Sequence, residues 1–142
     1  MISTVGRLDK ETSGLLLLTD DGGLLHRIIS PRADIAKRYH VTLESPLGGD
    51  ESAIFASGTL CLDGDEKPLL PATLEILDAN VCWLTIREGR YHQVRRMFES
   101  VGNRVSALHR DRVGGLDLPC DLTPGAYRLL SAEELGAVFG PA

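Results

Sequence analysis

Two alternating segments separated by three residues place the strongest restriction on the fold of this chain. Residues 72–77 and 81–86 each alternate between apolar and other side chains, and Asp78, Ala79 and Asn80 connect them. Alternation with a period of two is typical of a strand with one buried face, and so short a connection brings the two strands side by side. The sequence therefore predicts an antiparallel hairpin.

Further strand and helix patterns follow one another along the rest of the chain. The other expected strands are residues 15–19, 39–44 and 105–110. The expected helices begin near Asp20 or Asp21, Asp50, His92 and Ser131, where capping residues precede apolar side chains at helical spacing. The first of these helices ends at Ser30 because Pro31 follows it. We expect one α+β domain over residues 1–142, with a mainly antiparallel mixed sheet flanked by helices.

The charge of the chain is unevenly distributed. The net charge is -5, but residues 87–112 contain seven arginines against three acids, a local charge of +4. Phosphate contacts require such a local cluster, because salt limits the reach of each charge to about 8 Å. Charge alone does not distinguish a phosphate-binding surface from solvated arginines on helix and strand faces.

Several classes of protein are disfavoured by the composition. The apolar run at residues 15–18 is far shorter than the roughly 20 residues that span a bilayer, and no basic leader precedes it. We therefore expect a cytoplasmic protein that binds no membrane. The three cysteines and four histidines lack the spacing of a disulfide framework or a metal site, so we expect reduced structural cysteines and no bound metal.

Asp9 is the first candidate for chemistry. It stands among small turn residues, between Leu8 and Lys10, just before the apolar run of residues 15–18. A carboxylate at the edge of a core can be desolvated and held in one orientation, as a nucleophile or base requires. The same aspartate could equally cap a turn.

Three segments of the chain resemble the RsuA-type pseudouridine synthases, which modify ribosomal RNA. Residues 6–14, Gly-Arg-Leu-Asp-Lys-Glu-Thr-Ser-Gly, resemble the catalytic motif of that family. Residues 37–42 resemble its Lys-x-Tyr strand, and residues 88–97 resemble its basic motif. The resemblance covers nearly the whole chain, and it implies the pseudouridine synthase fold and the conversion of a uridine to pseudouridine without any cofactor.

The resemblance also implies roles for four residues. Asp9 attacks the flipped uridine at its base or its ribose, so that the glycosidic bond breaks and C5 joins the sugar. Tyr39 lies against the uracil ring, and Arg95 pairs with Asp9 and keeps it ionised. Arg7 enters the RNA stack where the uridine leaves it, since extruding a base costs a few kcal/mol that protein contacts must recover.

The remaining candidates are expected to bind RNA. The expected phosphate contacts are Arg90, Arg96, Arg110 and Arg112, of which one or two could be structural ion pairs. His92 and Gln93 follow the pattern of family members that act on small-subunit RNA. The expected partner is therefore 16S ribosomal RNA or a partly assembled small subunit, bound by a monomer.

The chain departs from the family pattern at its amino terminus. Family members usually carry an S4-like RNA-binding domain and a strand containing Lys-Pro ahead of the catalytic motif, whereas Met1 stands eight residues before Asp9. We therefore expect a catalytic domain that is partial at its amino terminus and has an exposed sheet edge.

Two other functions are compatible with parts of the sequence. One is a non-catalytic RNA-binding or ribosome-associated module that keeps the fold and the basic surface. The other is a hydrolase that uses Asp9 with Glu11 or Asp20 as an acid and base pair. The hydrolase explains neither the arginine cluster nor the spacing of the three motifs.

Overall fold

The computed structural model describes residues 1–141, and its strands form two sheets. A six-stranded mixed sheet has the order β2-β7-β4-β6-β5, with β8 paired to β7, while β1 and β3 form a separate antiparallel pair. The strands are β1 (Ser3–Val5), β2 (Thr12–Gly14), β3 (Leu17–Thr19), β4 (Lys37–Leu43), β5 (Thr73–Asp78), β6 (Val81–Ile86), β7 (Val105–Val113) and β8 (Leu116–Asp117). The helices are α1 (Gly22–Ile29), α2 (Glu51–Ala56), α3 (Gln93–Ser100) and α4 (Ala132–Val138), with a 3₁₀ turn at Pro31–Ala33.

Two hydrophobic clusters hold these elements together. The larger cluster lies where α2 and α3 cover one face of the six-stranded sheet, and Phe98 and Met97 at its centre are fully buried. The ring of Phe98 meets Phe55 of α2 edge to face, with the centroids 5.2 Å apart. The smaller cluster joins α1, α4, β1 and β3 to the end of β7, and Val138 of α4 is fully buried there. The sheet therefore extends from one cluster into the other.

The predicted α+β class and the predicted hairpin are confirmed. β5 and β6 pair in antiparallel fashion, and the Ser131 hydroxyl and Glu134 carboxylate form the predicted capping box of α4. Asp21 caps α1 by accepting hydrogen bonds from the backbone N–H groups of Gly23 and Leu24. Among the helices of residues 1–141, none is both long and apolar enough to cross a membrane.

The expected capping role of Asp50 is wrong. α2 begins at Glu51, and the Asp50 side chain makes no capping hydrogen bond. The Glu51 carboxylate instead accepts from the N–H groups of Gly48 and Gly49, at 2.7 and 2.8 Å. Burial alone would raise the pKa of Glu51, but these backbone donors outweigh it and lower the pKa.

Candidate active site

A cleft of about 560 Å³ opens where the two hydrophobic clusters meet. This volume lies within the range of sites that hold small molecules or single residues of a larger ligand. Its apolar wall includes Val5, Leu17, Ile28 and Ile35 from the smaller cluster. Its polar residues are Arg7, Asp9, Thr12, Lys37, Tyr39, Arg90, Tyr91, Gln93 and Arg110. Four of the eight residues predicted to contact Asp9 or RNA line this one concave surface together with Asp9 and Tyr39, namely Arg7, Arg90, Gln93 and Arg110.

A tight loop between β1 and β2 presents Asp9 to the cleft. The chain leaves β1 through Gly6, which has a φ of 71°, a conformation that glycine adopts without steric cost. The loop closes where the Thr12 N–H donates to the Asp9 carbonyl oxygen at 2.9 Å. The Asp9 side chain is 29% exposed, while Arg7 lies fully on the surface at the rim of the cleft. Asp9 is therefore reachable from solvent but held by its backbone.

The predicted ion pair between Arg95 and Asp9 is not formed in the structure. Arg95, on α3, donates from Nη2 to the carbonyl oxygen of Glu11 at 3.0 Å. That hydrogen bond ties α3 to the loop two residues beyond Asp9. Arg95 therefore contacts the backbone of the loop rather than the Asp9 carboxylate.

His92 is the side chain that approaches Asp9 most directly from α3. Its Nε2 lies 3.9 Å from Asp9 Oδ1, too far for a hydrogen bond but within range of an ion pair when the ring is protonated. The His92 backbone is left-handed, with a φ of 47°, and the Tyr91 ring stacks on the imidazole at 3.9 Å. Backbone strain at a non-glycine residue is concentrated at functional sites in proteins. His92, predicted as an RNA contact, therefore lies next to Asp9.

A β-bulge places Tyr39 and Arg110 together. The pairing of β4 with β7 shifts between Arg38 and Tyr39, so that Asp111 is left without a partner and Tyr39 lies opposite Arg110. Arg38 holds the bulged Asp111 with two hydrogen bonds, at 3.1 and 2.8 Å. Burial raises the pKa of the Tyr39 phenol, and the charge of the adjacent Arg110 opposes that rise. The phenol therefore stays protonated at neutral pH.

Arg110, which the sequence analysis predicted as a phosphate contact, lies inside the protein. Arg110 is only 5% exposed, because its strand runs through the sheet between β2 and β4. Its Nε and Nη2 atoms donate to the carbonyl oxygen of Leu15 at 3.0 and 2.8 Å. Arg110 is thus part of the inner wall of the cleft.

Arg90 and Arg96 are engaged within the protein. Asp65 accepts from Arg90 at 3.2 Å and from Arg96 at 3.0 Å, one oxygen for each arginine. Arg90 also bonds to Glu88 at 2.9 Å, and both guanidinium groups donate to carbonyl oxygens of the loop at residues 63–68. The hydrogen bonds with Arg96 and Arg90 outweigh desolvation and lower the pKa of Asp65. This network fastens the loop to the start of α3.

Two other predicted RNA contacts also have partners in the protein. Gln93 is 4% exposed, and its Oε1 accepts from the Arg90 N–H at 3.1 Å. Arg112 pairs with Asp117 of β8 at 2.5 Å. The predicted proportion of structural ion pairs among the arginines was therefore too low.

The fold and the cleft agree with the resemblance found in the sequence, and the chain belongs to the RNA pseudouridylate synthase family. The model of that family matches residues 1–100. The chain is 50% identical over 137 residues to the ribosomal small subunit pseudouridine synthase A of Escherichia coli strain K12, covering 96% of this chain and 59% of that protein. The protein of the same description from Yersinia pestis is 50% identical over 141 residues, covering 99% of this chain and 59% of its own length. The chain thus spans about three fifths of the length of these relatives.

Solved structures agree with this assignment. A crystal structure of a pseudouridylate synthase matches with a TM-score of 0.93 and 48% identity, over 96% of this chain and 59% of that one. Human RNA pseudouridylate synthase domain containing 1 matches with a TM-score of 0.60 over 98% of this chain and 80% of that one. Because the identity to the human protein is 16%, that second match shows a shared fold alone.

Proposed function

We propose that this chain converts a specific uridine of ribosomal RNA to pseudouridine, with 16S RNA of the small subunit as the substrate. The observation that carries the proposal is the cleft that presents Asp9 and Tyr39 side by side in a chain of this family. The names of the relatives with about 50% identity favour the small subunit as the source of the substrate. The protein would act as a monomer in the cytoplasm, on free RNA or on a partly assembled subunit.

The reaction is an isomerisation that needs one carboxylate and a controlled transfer of protons. The bond between ribose C1′ and uracil N1 breaks, the ring turns, and C5 bonds to C1′. The C5 proton then leaves and N1 takes up a proton, so that the atoms balance. Asp9 would start the reaction by attacking the base or the ribose, or by removing a ribose proton.

The other side chains of the site would hold the flipped uridine and its reactive group. The uracil ring would stack against Tyr39, whose phenol lies on the wall of the cleft. Arg95 and His92 would keep the Asp9 loop in place, through the bond to Glu11 and through proximity to the carboxylate. Arg7, at the exposed rim, is the side chain best placed to fill the gap in the RNA stack.

The proposal is tested by incubating the purified chain with 16S RNA, both free and partly assembled with ribosomal proteins. Pseudouridine is then mapped by reverse-transcription stops after carbodiimide treatment. We expect one new stop that disappears in Asp9→Asn, since an amide can neither attack carbon nor accept a proton at neutral pH. Binding of the variant to RNA should be unchanged, because Asp9 contributes no attraction for phosphate.

A non-catalytic RNA-binding module is the alternative to this function. Such a module would bind the same RNA, and the unmodified chain would produce no reverse-transcription stop. Asp9→Asn would then change neither the RNA binding nor the pattern of stops. A folded chain that binds 16S RNA and makes no pseudouridine on either substrate would overturn the proposed activity and establish the module.

A further inference from the structure

Two cations line the inner wall of the cleft without a carboxylate partner. Neither Lys37 nor Arg110 forms an ion pair with any acid among residues 1–141, although Arg110 is almost completely buried and Lys37 is half-buried. Buried charges in proteins are normally paired, because it costs free energy to move a charge out of water when no opposite charge lies beside it. Burial and, secondarily, the charge of Arg110 lower the pKa of Lys37. The wall therefore holds two like charges at a distance where each disfavours the other.

The acids near this wall are engaged elsewhere. Glu88, whose charge reaches Lys37, is bonded to Arg90 at 2.9 Å and accepts from the Leu70 N–H at 2.7 Å. Asp9 faces the same cleft from the opposite loop, but it is the proposed reactive group. The guanidinium of Arg110 has the neutral Leu15 carbonyl as its acceptor. An excess of positive charge thus remains inside the cleft.

Resting on the proposed function, we infer that Lys37 and Arg110 stabilise the negative charge that develops on uracil when its glycosidic bond breaks. If the bond to C1′ breaks heterolytically, its electron pair stays on N1 of the uracil and is delocalised onto the two carbonyl oxygens of the base. Preorganised donors aimed at such developing charge are among the largest sources of rate enhancement in enzymes. Lys37 would donate to one carbonyl oxygen of the base, while Arg110 adds a fixed charge beside Tyr39.

The strand geometry favours the base over a phosphate as the group that these cations contact. Lys37 and Tyr39 are two residues apart on β4 and face the same side, roughly 7 Å apart along the strand. A ring stacked on Tyr39 therefore has one edge within reach of the Lys37 amine. A phosphate belongs to the RNA backbone, which would pass the rim of the cleft near the exposed Arg7.

The first test uses binding of a small molecule and requires no turnover. The probe is 5-nitrouracil, whose ring N–H is acidic enough to be ionised at neutral pH, compared with neutral uracil in equilibrium dialysis. We expect the chain to prefer 5-nitrouracil, and Lys37→Met to reduce that preference roughly tenfold, the effect of one charge-assisted hydrogen bond. Lys37→Arg should keep most of the preference. Lys67→Met, which removes a lysine on an exposed loop, should leave it unchanged.

The second test uses the 16S RNA. Because uridine is neutral before reaction, Lys37→Met should leave the Kd for RNA within about twofold while lowering the single-turnover rate about 100-fold. Lys37→Arg should recover a substantial part of the rate. Methionine has a similar length and removes a desolvated charge, so the variant should unfold at or above the temperature of the unmodified chain.

The outcomes separate this inference from its alternatives. A chain that shows no preference for 5-nitrouracil, or a preference that Lys37→Met does not change, overturns the inference. If Lys37→Met instead weakens RNA binding and reduces the slope of log Kd against log salt by about 1, the cations bind phosphate, which also overturns it. A chain that binds 5-nitrouracil as expected but makes no pseudouridine refutes the proposed function and not the anion site.

Discussion

Replacing Gly14 by alanine should loosen the junction that holds the active site together. Gly14 ends β2 with a φ of 119° and pairs with Arg110 of β7. A Cβ atom added there would lie 2.1 Å from the Arg110 carbonyl oxygen and 2.6 Å from its backbone nitrogen. Backbone atoms in a central strand cannot move aside as a flexible side chain can. The two strands must therefore separate.

The cost can be worked out from two parts. Placing a side chain in a conformation that only glycine adopts costs about 1–3 kcal/mol. Separating the strands also breaks the hydrogen bond from the Leu15 N–H to the Arg110 carbonyl, now 2.7 Å, and disturbs the bonds from the guanidinium to the Leu15 carbonyl. At about 1 kcal/mol net for each of two bonds, the total loss is about 3–5 kcal/mol. This is a large part of the roughly 5–15 kcal/mol that stabilises a typical domain.

Urea unfolding of three proteins separates the clash from the backbone effect. Gly64→Ala is the matched control, because Gly64 also has a positive φ, 85°, but a Cβ atom there meets nothing within 4 Å. Gly64→Ala should cost about 1 kcal/mol, the conformational part alone. If the free energies of unfolding of Gly14→Ala and Gly64→Ala differ by no more than about 1 kcal/mol, the close approach of β2 to Arg110 is not the reason that position 14 requires glycine.

Three further predictions concern the core and the site. Cys82 is fully buried, and its burial, with a smaller contribution from the charge of Glu51, raises its pKa to about 11. A thiol reagent should therefore modify the exposed Cys61 and Cys120 rapidly, and Cys82 only after unfolding. Glu51→Gln should lower the free energy of unfolding by about 1–3 kcal/mol at neutral pH. Because the pKa of Glu51 is lowered in the folded protein, its contribution to stability is present above the ordinary value of 4.5 and is lost as the pH falls through the folded pKa. In urea titrations at acid pH, the free energies of unfolding of Glu51→Gln and of the unmodified chain should therefore converge. Arg95→Leu should slow a single turnover about 100-fold with unchanged RNA affinity, while Arg95→Lys should retain more activity. Equal rates for these two variants and the unmodified chain would exclude a role of Arg95 in positioning the loop.

Local sequence signals predicted the elements well where one residue decides the structure. The Asp21 cap, the stop at Ser30 and the capping box beginning at Ser131 each depend on hydrogen bonds or sterics within a few residues. The start of α2 shows the limit of such signals. Asp50 and Glu51 are adjacent acids, and only the path of the backbone at Gly48 and Gly49 decides which carboxylate accepts the hydrogen bonds.

The arginines of the basic motif are predicted from the sequence as a cluster, but their partners within the protein are not. Its arginines are close together in sequence, but Asp65 lies 25 residues from Arg90 and 31 from Arg96, so no local pattern shows that one carboxylate binds both. The loop that carries Asp65 is largely exposed. Long-range pairing therefore engages two of the seven arginines of residues 87–112 with one carboxylate from another part of the chain.

The position of Arg110 shows why the inner wall of the cleft could not be deduced from alternation. In a regular strand, every second side chain lies on the same face of the sheet. A single bulge adds one residue, so the side chains beyond it lie on the opposite faces from those that the alternation predicts. Here the extra residue is Asp111, and its partner, Arg38, comes from a different strand. The same bulge that turns Arg110 away from the surface places it opposite Tyr39 and near Lys37. The two cations that we infer to act on the leaving uracil are thus together because of one register shift, so the charge of the site is a property of the sheet pairing rather than of any motif.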